Sequence, residues 1–394
     1  PGPAIDFHAQ MQAWWDRWLK ESADSAPVSP ALCAWVQEAA EPATRYHQRP
    51  GRWVAEAQWP SANIHPHWLY PQQGGHLHST PAADSAPALS IQSPLSLGLF
   101  AGKWCSYAAG PDLPYDQREE DGGALFFESQ PFDTELELLG APELSLCFSV
   151  DQPTAQVAAR LSDVAPDGKA TRITYGVFNL NHHQGHDQPE CLVPGQSYQV
   201  RFALNHLGHR LTPGHRLRLS LSTSYWPLAW PAPRPVTLSV WPADTALQLP
   251  VRQASEPAVP VAFGRPSHQE PSIVKEIQPG EQRWRVIRDL ESSASTLEVI
   301  KNEGVYQLTD IDLEIADDTR EYYHSVGEDF ASIEGEVIAE RRLRRGNWSV
   351  TTRTRTLLQA DATAFYVTAE LDAWEGEQRV FSRNWRERIE RGFV

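Results

Sequence analysis

Apolar side chains at Phe7, Met11, Trp14, Trp15, Trp18 and Leu19 recur at i, i+4, i+7, i+8, i+11 and i+12, the spacing of one face of an α-helix. Asp6 is placed to cap its first turn, and Asp16, Arg17 and Lys20 fall on the opposite, wet side. A single helix this aromatic cannot bury its own face, so it needs the rest of the chain or a partner. Between Ser25 and about Gln92 no period holds. Pro, Trp and His crowd Pro50-Gly51-Arg52-Trp53, Trp59-Pro60 and His65-Pro66-His67-Trp68, which predicts an extended segment with one or two strands draped over another surface.

From about Ala124 the period becomes two. Leu136–Leu139, Leu144–Val150, Gln156–Leu161, Ala170–Tyr175, Ser197–Leu204, His215–Ser222 and Val236–Val240 read as short strands, with Gly140-Ala141-Pro142 and Ala165-Pro166-Asp167-Gly168 as turns. Strands this short at this spacing make a sandwich or jelly roll. Residues 251–280 carry Pro257, Pro260, Pro266, Pro271 and Pro279 and read as a linker. Beyond it Trp284–Ile287, Val305–Leu308, Asp310–Ile315, Ile333–Ala339, Trp348–Leu357 and Ala364–Leu371 form a second set, alternating and charged on one face, as in a curved sheet or half-barrel. The fold class expected is therefore mainly β: a jelly-roll β-sandwich plus a C-terminal antiparallel β-sheet or half-barrel extension, with a short N-terminal helical segment.

Composition narrows the partners. With 394 residues, 41% hydrophobic, the chain is long enough for two or three cored domains. Its net charge of −16, with no lone basic stripe, supplies nucleic-acid binding poorly. No apolar run approaches the ~18 residues of a membrane span. Fifteen Trp and 32 Pro point to large aromatics packed at sheet and domain interfaces. The single Met, at position 11, and the loop-like Pro1-Gly2-Pro3 opening fit a piece of a longer protein. No basic-then-apolar leader is seen, so a cytoplasmic location is the expectation, although a missing N-terminus would take any signal with it. Cys33, Cys105, Cys147 and Cys191 have neither C-x-x-C nor zinc spacing and read as buried free thiols.

The chemistry-bearing motifs are few. No G-x-S-x-G elbow occurs; Gly195-Gln196-Ser197 lacks the closing Gly and precedes a strand. Phosphate-cradling and dinucleotide glycine motifs are also missing. His182 and His186 have i, i+4 spacing, with His183 between them, but Asn, Gly and Pro around them mark a loop rather than a metal-binding helix. His206, His209 and His215 flank a strand end and a Pro213-Gly214 turn, where structural hydrogen bonds are expected. The acidic stretch Gly110–Gly122 lacks calcium-loop spacing and predicts a turn in which Arg118 pairs with Asp112 or Asp116. Tyr225, Trp226 and Trp230, in Ser222–Pro231, are either core or a rigid aromatic wall facing a domain or a substrate. No metal and no cofactor is implied.

Several ordered motifs together carry a resemblance. Gly110-Pro-Asp112 through Asp116-Gln-Arg118 and Asp121, Gly140-Ala-Pro142, Ala159–Gly168, Leu192-Val-Pro-Gly195, His209–Leu219 and Ser224-Tyr-Trp-Pro227 are similar to the C-terminal jelly-roll domain of the CocE/NonD (cocaine-esterase and Xaa-Pro dipeptidyl-peptidase) serine hydrolases. Pro1-Gly-Pro3 and Trp14–Lys20 resemble the end of that family's α/β-hydrolase domain, and Arg49–Trp53 through Trp59-Pro-Ser61 the stretch joining the two.

The resemblance implies four parts: residues 1–45 as a helical remnant of the hydrolase domain, 46–250 as the jelly roll, 251–280 as linker and 281–394 as an antiparallel extension of unassigned role. It also implies that the nucleophile, acid and His of the family lie outside this sequence, so that the chain is a non-catalytic part of an ester or Xaa-Pro amide hydrolase. On that reading Trp14, Trp15 and Trp18 dock on an α/β-hydrolase half, in cis or in trans, or on a second copy, and Tyr225, Trp226 and Trp230 wall its active site. The alternative is a stand-alone module binding carbohydrate or peptide on Trp226 and Trp230.

Overall fold

The computed structural model describes residues 2–20, 30–106, 110–254, 261, 263–267 and 272–394. They fall into two compact units. The first lies within Pro1–Gln92, Phe100–Thr223 and Thr237–Gln269, and the second within Ser93–Leu99, Ser224–Val236 and Glu270–Val394.

The first unit is the sandwich, with 15 strands and the predicted helix Phe7–Leu19. One sheet runs Ala170–Asn179, Gln156–Val164, Arg216–Ser222, Leu125–Ser129 and His76–His78. Ile64–Gln72 then carries the hydrogen bonding over to the other, pairing His76–His78 on one side and Ala246–Arg252 on the other. Such a strand has to tolerate prolines. Pro66 stands opposite Pro250 in an antiparallel pair, a rung where neither strand needs an N–H donor.

The sequence predicts one or two strands before residue 92, but among the described residues there are five: Leu32–Glu38, Gly51–Glu56, Ile64–Gln72, His76–His78 and Leu89–Ile91. In Ile64–Gln72 and His76–His78 sheet pairing overrides a Pro- and His-rich composition. The linker expected over 251–280 likewise begins inside strand Ala246–Arg252 and contains Val274–Gln278, paired with Ala294–Leu308. Of the four free cysteines only Cys147 is buried; Cys105 and Cys191 are exposed, because both lie in loops rather than in core strands.

Charge is buried deep in this unit. Arg160 has no exposed surface; its Nη1 donates to Gln117 Oε1 at 3.1 Å and its Nη2 to Asp121 Oδ1 at 3.2 Å. Asp121 also accepts from Arg218 Nη1 at 2.6 Å and Ser220 Oγ at 2.7 Å. In a second cluster Arg252 donates to Glu56 at 2.6 Å and to Glu137 at 2.7 Å. Burial opposes the charge of Glu56, but hydrogen bonds from Ser61, Asn63 and Arg252 outweigh it and hold that carboxyl below its ordinary range.

The second unit is an eight-stranded antiparallel sheet, mostly a meander from Ala294–Leu308 to Gln378–Glu390. Its tight turns place Gly346 and Gly376 at φ of 56° and 58°, the left-handed conformation that hairpin turns favour. The sheet is open: Val274–Gln278 and Gln378–Glu390 end its hydrogen-bonded path.

Removing one partner of a buried pair leaves the other charge unanswered. Asp121→Ala is expected to destabilise the first unit by about 3–5 kcal/mol in urea unfolding, with a smaller loss for Asp116→Ala, whose partner Arg118 is exposed.

Candidate functional site

The aromatic helix is built as its pattern predicts. Asp6 caps Phe7–Leu19 by accepting from the Ala9 amide at 3.2 Å, and is itself held by the Gly264 carbonyl and by Ser267 Oγ at 2.9 Å. No residue of the helix is buried. Trp14, Trp15 and Trp18 are 55%, 48% and 64% exposed, and Phe7, Met11 and Leu19 extend the same apolar stripe. The rings gather on one another, with Trp14 centroids 4.8 Å from Trp15 and 6.3 Å from Trp18.

The second aromatic group sits elsewhere. Tyr225 and Trp226 lie in the interior, and Trp226 forms a cluster with Leu95 and Ile333, against which Trp230, Tyr323 and Phe330 pack. Trp226 meets Trp230 edge-on at 4.8 Å and Tyr323 at 5.9 Å, while Trp230 meets Phe365 at 5.5 Å. All of these residues belong to the second unit. Gly98 explains the close fit: a Cβ there would come within 2.2 Å of the Trp226 carbonyl oxygen. Trp226 is thereby occupied as core and offers little free face to a ligand.

Two of the flagged histidines converge on a carboxylate. His209 Nε2 lies 2.8 Å from Asp163 Oδ2 and His215 Nδ1 lies 2.6 Å from Oδ1. His209 and Asp163 are buried and His215 is partly open to a cavity of about 240 Å³. An acid on Nδ1 of an imidazole is the orienting half of a hydrolytic triad. Among the described residues this cavity is lined by no Ser or Cys, and the hydroxyl of Thr171 donates to the Ala40 carbonyl at 2.8 Å. The pair ties together strands Gln156–Val164 and Leu207–Leu211 and the residue after the Pro213-Gly214 turn. Sequence reading flagged both histidines but not Asp163, whose role depends on a register 46 residues away.

His182 and His186 stand with their Nδ1 atoms 3.0 Å apart on an exposed loop, and among the described residues no group of three metal-ligating side chains occurs. Arg118 pairs with Asp116, at 2.9 and 2.7 Å, one of the two predicted partners. Among the described residues no helix is long and apolar enough to cross a membrane.

Two predictions follow from these placements. Trp226→Ala opens a core cavity and is expected to cost about 3–5 kcal/mol in the unfolding of the second unit, whereas Trp14→Ala is expected to change stability by less than about 0.5 kcal/mol; denaturant titration of both variants distinguishes them. The second concerns pH. Burial lowers the pKa of His209, and the charges of Arg49 and His215 reinforce this against the pull of Asp163. The unfolded state takes up a proton as pH falls through about 6.5, while folded His209 resists it. Stability present above pH 6.5 is lost as pH falls toward the depressed value. His209→Gln is expected to flatten the midpoint-versus-pH curve over that window, and an unchanged slope would refute the assignment.

Comparison with known proteins adds a family. Residues 37–259 match the family model described as the X-Pro dipeptidyl-peptidase C-terminal non-catalytic domain. The chain is 22% identical over 236 residues to the cocaine esterase of Rhodococcus sp. (strain MB1 Bresler), covering 57% of this chain and 39% of that protein. It thus spans about two fifths of that relative's length. Among solved structures, an aminopeptidase from a marine-sediment Thaumarchaeota archaeon covers 62% of this chain and 43% of its own at 21% identity and a TM-score of 0.48. A CocE/NonD family hydrolase from Staphylococcus aureus covers 62% and 45% at 14% identity, with a TM-score of 0.47.

Proposed function

Because the chain belongs to the X-Pro dipeptidyl-peptidase C-terminal non-catalytic domain family, as a C-terminal portion of a CocE/NonD protein, we propose that it works by packing on an α/β-hydrolase domain that carries the nucleophile. The reaction in question is hydrolysis of an ester or an Xaa-Pro amide, and this chain supplies the docking surface. The observation that supports the reading most directly is helix Phe7–Leu19, which keeps an apolar face of Trp14, Trp15 and Trp18 in solvent. Clustered tryptophans of this kind dominate the binding energy of interfaces, and an exposed apolar stripe bounded by charge marks an interaction surface.

Mixing the purified chain with the family's α/β-hydrolase domain is expected to give a stable complex and a rise in ester or Xaa-Pro amide cleavage over the hydrolase domain alone. Trp14→Ala and Trp18→Ala are each expected to weaken association by roughly tenfold or more, about 1.4 kcal/mol or above. Size-exclusion chromatography with light scattering and an esterase assay read both effects. A chain that dimerises through the helix and ignores the hydrolase domain, or forms no complex at all, overturns the proposal.

A further inference from the structure

Arg49 is 8% exposed, yet among the described residues it makes no ion pair, and its Nε and Nη2 are sealed from solvent without a hydrogen-bond partner there. Its guanidinium lies over the ring of Tyr46, 5.4 Å from the centroid. The acid that acts on it electrostatically is Asp163, whose two oxygens are already taken by His209 and His215. Leaving a buried charge unanswered costs several kcal/mol, so a fold that keeps one needs a reason.

The reason we propose is a ligand: the cavity beside Arg49 is a binding site for a small planar organic carboxylate. That cavity, of about 270 Å³, lies in the first unit and is separate from the one at His215. Arg49, Lys103 and Arg172 line it, and among the described residues no Asp or Glu does, although the whole chain has a net charge of −16. Three cationic side chains on one cavity favour an anion there over a cation.

Shape restricts the anion further. Beside the cations stand Tyr46, Trp104 and Tyr175. Trp104 meets Tyr175 edge-on at 6.2 Å, and Arg172 lies 4.2 Å from the Tyr175 centroid. Trp104 is 65% exposed, so one wall is an open aromatic face. A hydrated inorganic anion gains nothing from such a wall; a flat apolar body does. With Nε and Nη2 sealed, Nη1 is the nitrogen left to donate a charge-assisted hydrogen bond to the carboxylate. The volume holds a single-ring acid and is small for a longer chain.

Benzoate is the probe, with acetate and inorganic phosphate as comparators, titrated against the full chain by calorimetry and by saturation-transfer NMR. Benzoate is expected to bind with a dissociation constant below about 1 mM, more tightly than acetate or phosphate, and to raise the melting temperature. Arg49→Gln is expected to weaken benzoate by about tenfold or more and to abolish the melting shift. Since that variant removes an unpaired buried charge, it is expected to fold and to melt no lower than the parent. Trp104→Ala, at an exposed ring, provides a second readout: benzoate weakens several-fold while acetate is unchanged. No benzoate binding at roughly 10 mM, equal affinity in Arg49→Gln, or phosphate binding more tightly than benzoate each overturns the assignment.

Discussion

Arg160 has no contact with solvent, and the sandwich is organised around answering its charge. A lone guanidinium at that depth is untenable, so Gln117 and Asp121 have to be brought to it from outside its own sheet. Both lie at the end of the Gly110–Gly122 stretch, which has little apolar content of its own to hold it in place. Once Gln117 is fixed, its amide donates to the carbonyls of Phe100 and Tyr115, its backbone N–H to Ala170, and Glu120 accepts from the Phe100 amide at 2.7 Å. Lys103 and Asp112 then close the loop by a backbone bond of 2.8 Å. These are the residues that set the walls around Trp104, Leu113 and Pro114, and so the cavity at Arg49. Hydrogen bonds thus connect the segment that answers one core arginine to Lys103, which lines the cavity at Arg49.

The second unit meets a different constraint. Its strands are long and charged, and many positions on both faces are only partly covered, so apolar burial per residue is low. Order comes instead from the backbone ladder, with cross-strand pairs such as Arg285 with Glu298 at 2.7 Å and Arg344 with Glu314 at 2.8 Å. Each exposed pair contributes about 0–1 kcal/mol, and its larger effect is on register, since a one-residue slip places every charge on the wrong face. Where apolar packing is dense, around Leu95, Trp226 and Ile333, two of the three residues come from segments distant in sequence from the meander.

How much of this was legible depended on whether the signal was local. The helix at 7–19 and its Asp6 cap, the alternating strands from Leu136 onward and the Arg118–Asp116 pair all rest on neighbours a few residues apart, and the pattern shows them. Ile64–Gln72 was obscured because its prolines and histidines oppose strand propensity, which pairing with Ala246–Arg252 overcomes; Gly51–Glu56 has neither residue and finds its partner in Leu32–Glu38. Trp226 could be flagged as important, yet its surroundings, Ile333 and Tyr323, lie about a hundred residues away and no local pattern announces them. Arg49 escaped notice for the opposite reason. What distinguishes it is the absence of a partner, and an absence has no sequence signature.

The tryptophans make the same physical point from two sides. Trp226 and Trp14 carry the same ring, and aromatic area out of water contributes to stability wherever it is buried. For Trp226 that burial happens within the chain, where Gly98 allows the backbones to meet. For Trp14, Trp15 and Trp18 it does not, although Asp6, Gly264 and Ser267 anchor the helix end, and its charged side (Asp16 with Lys20 at 2.6 Å) is already satisfied. A helix that is capped, anchored and ion-paired on one face, and left apolar in water on the other, holds its hydrophobic free energy in reserve. On the proposed function that reserve is released by association rather than by folding, and for this reason the helix, rather than the aromatic core of the second unit, is where we propose that a partner binds.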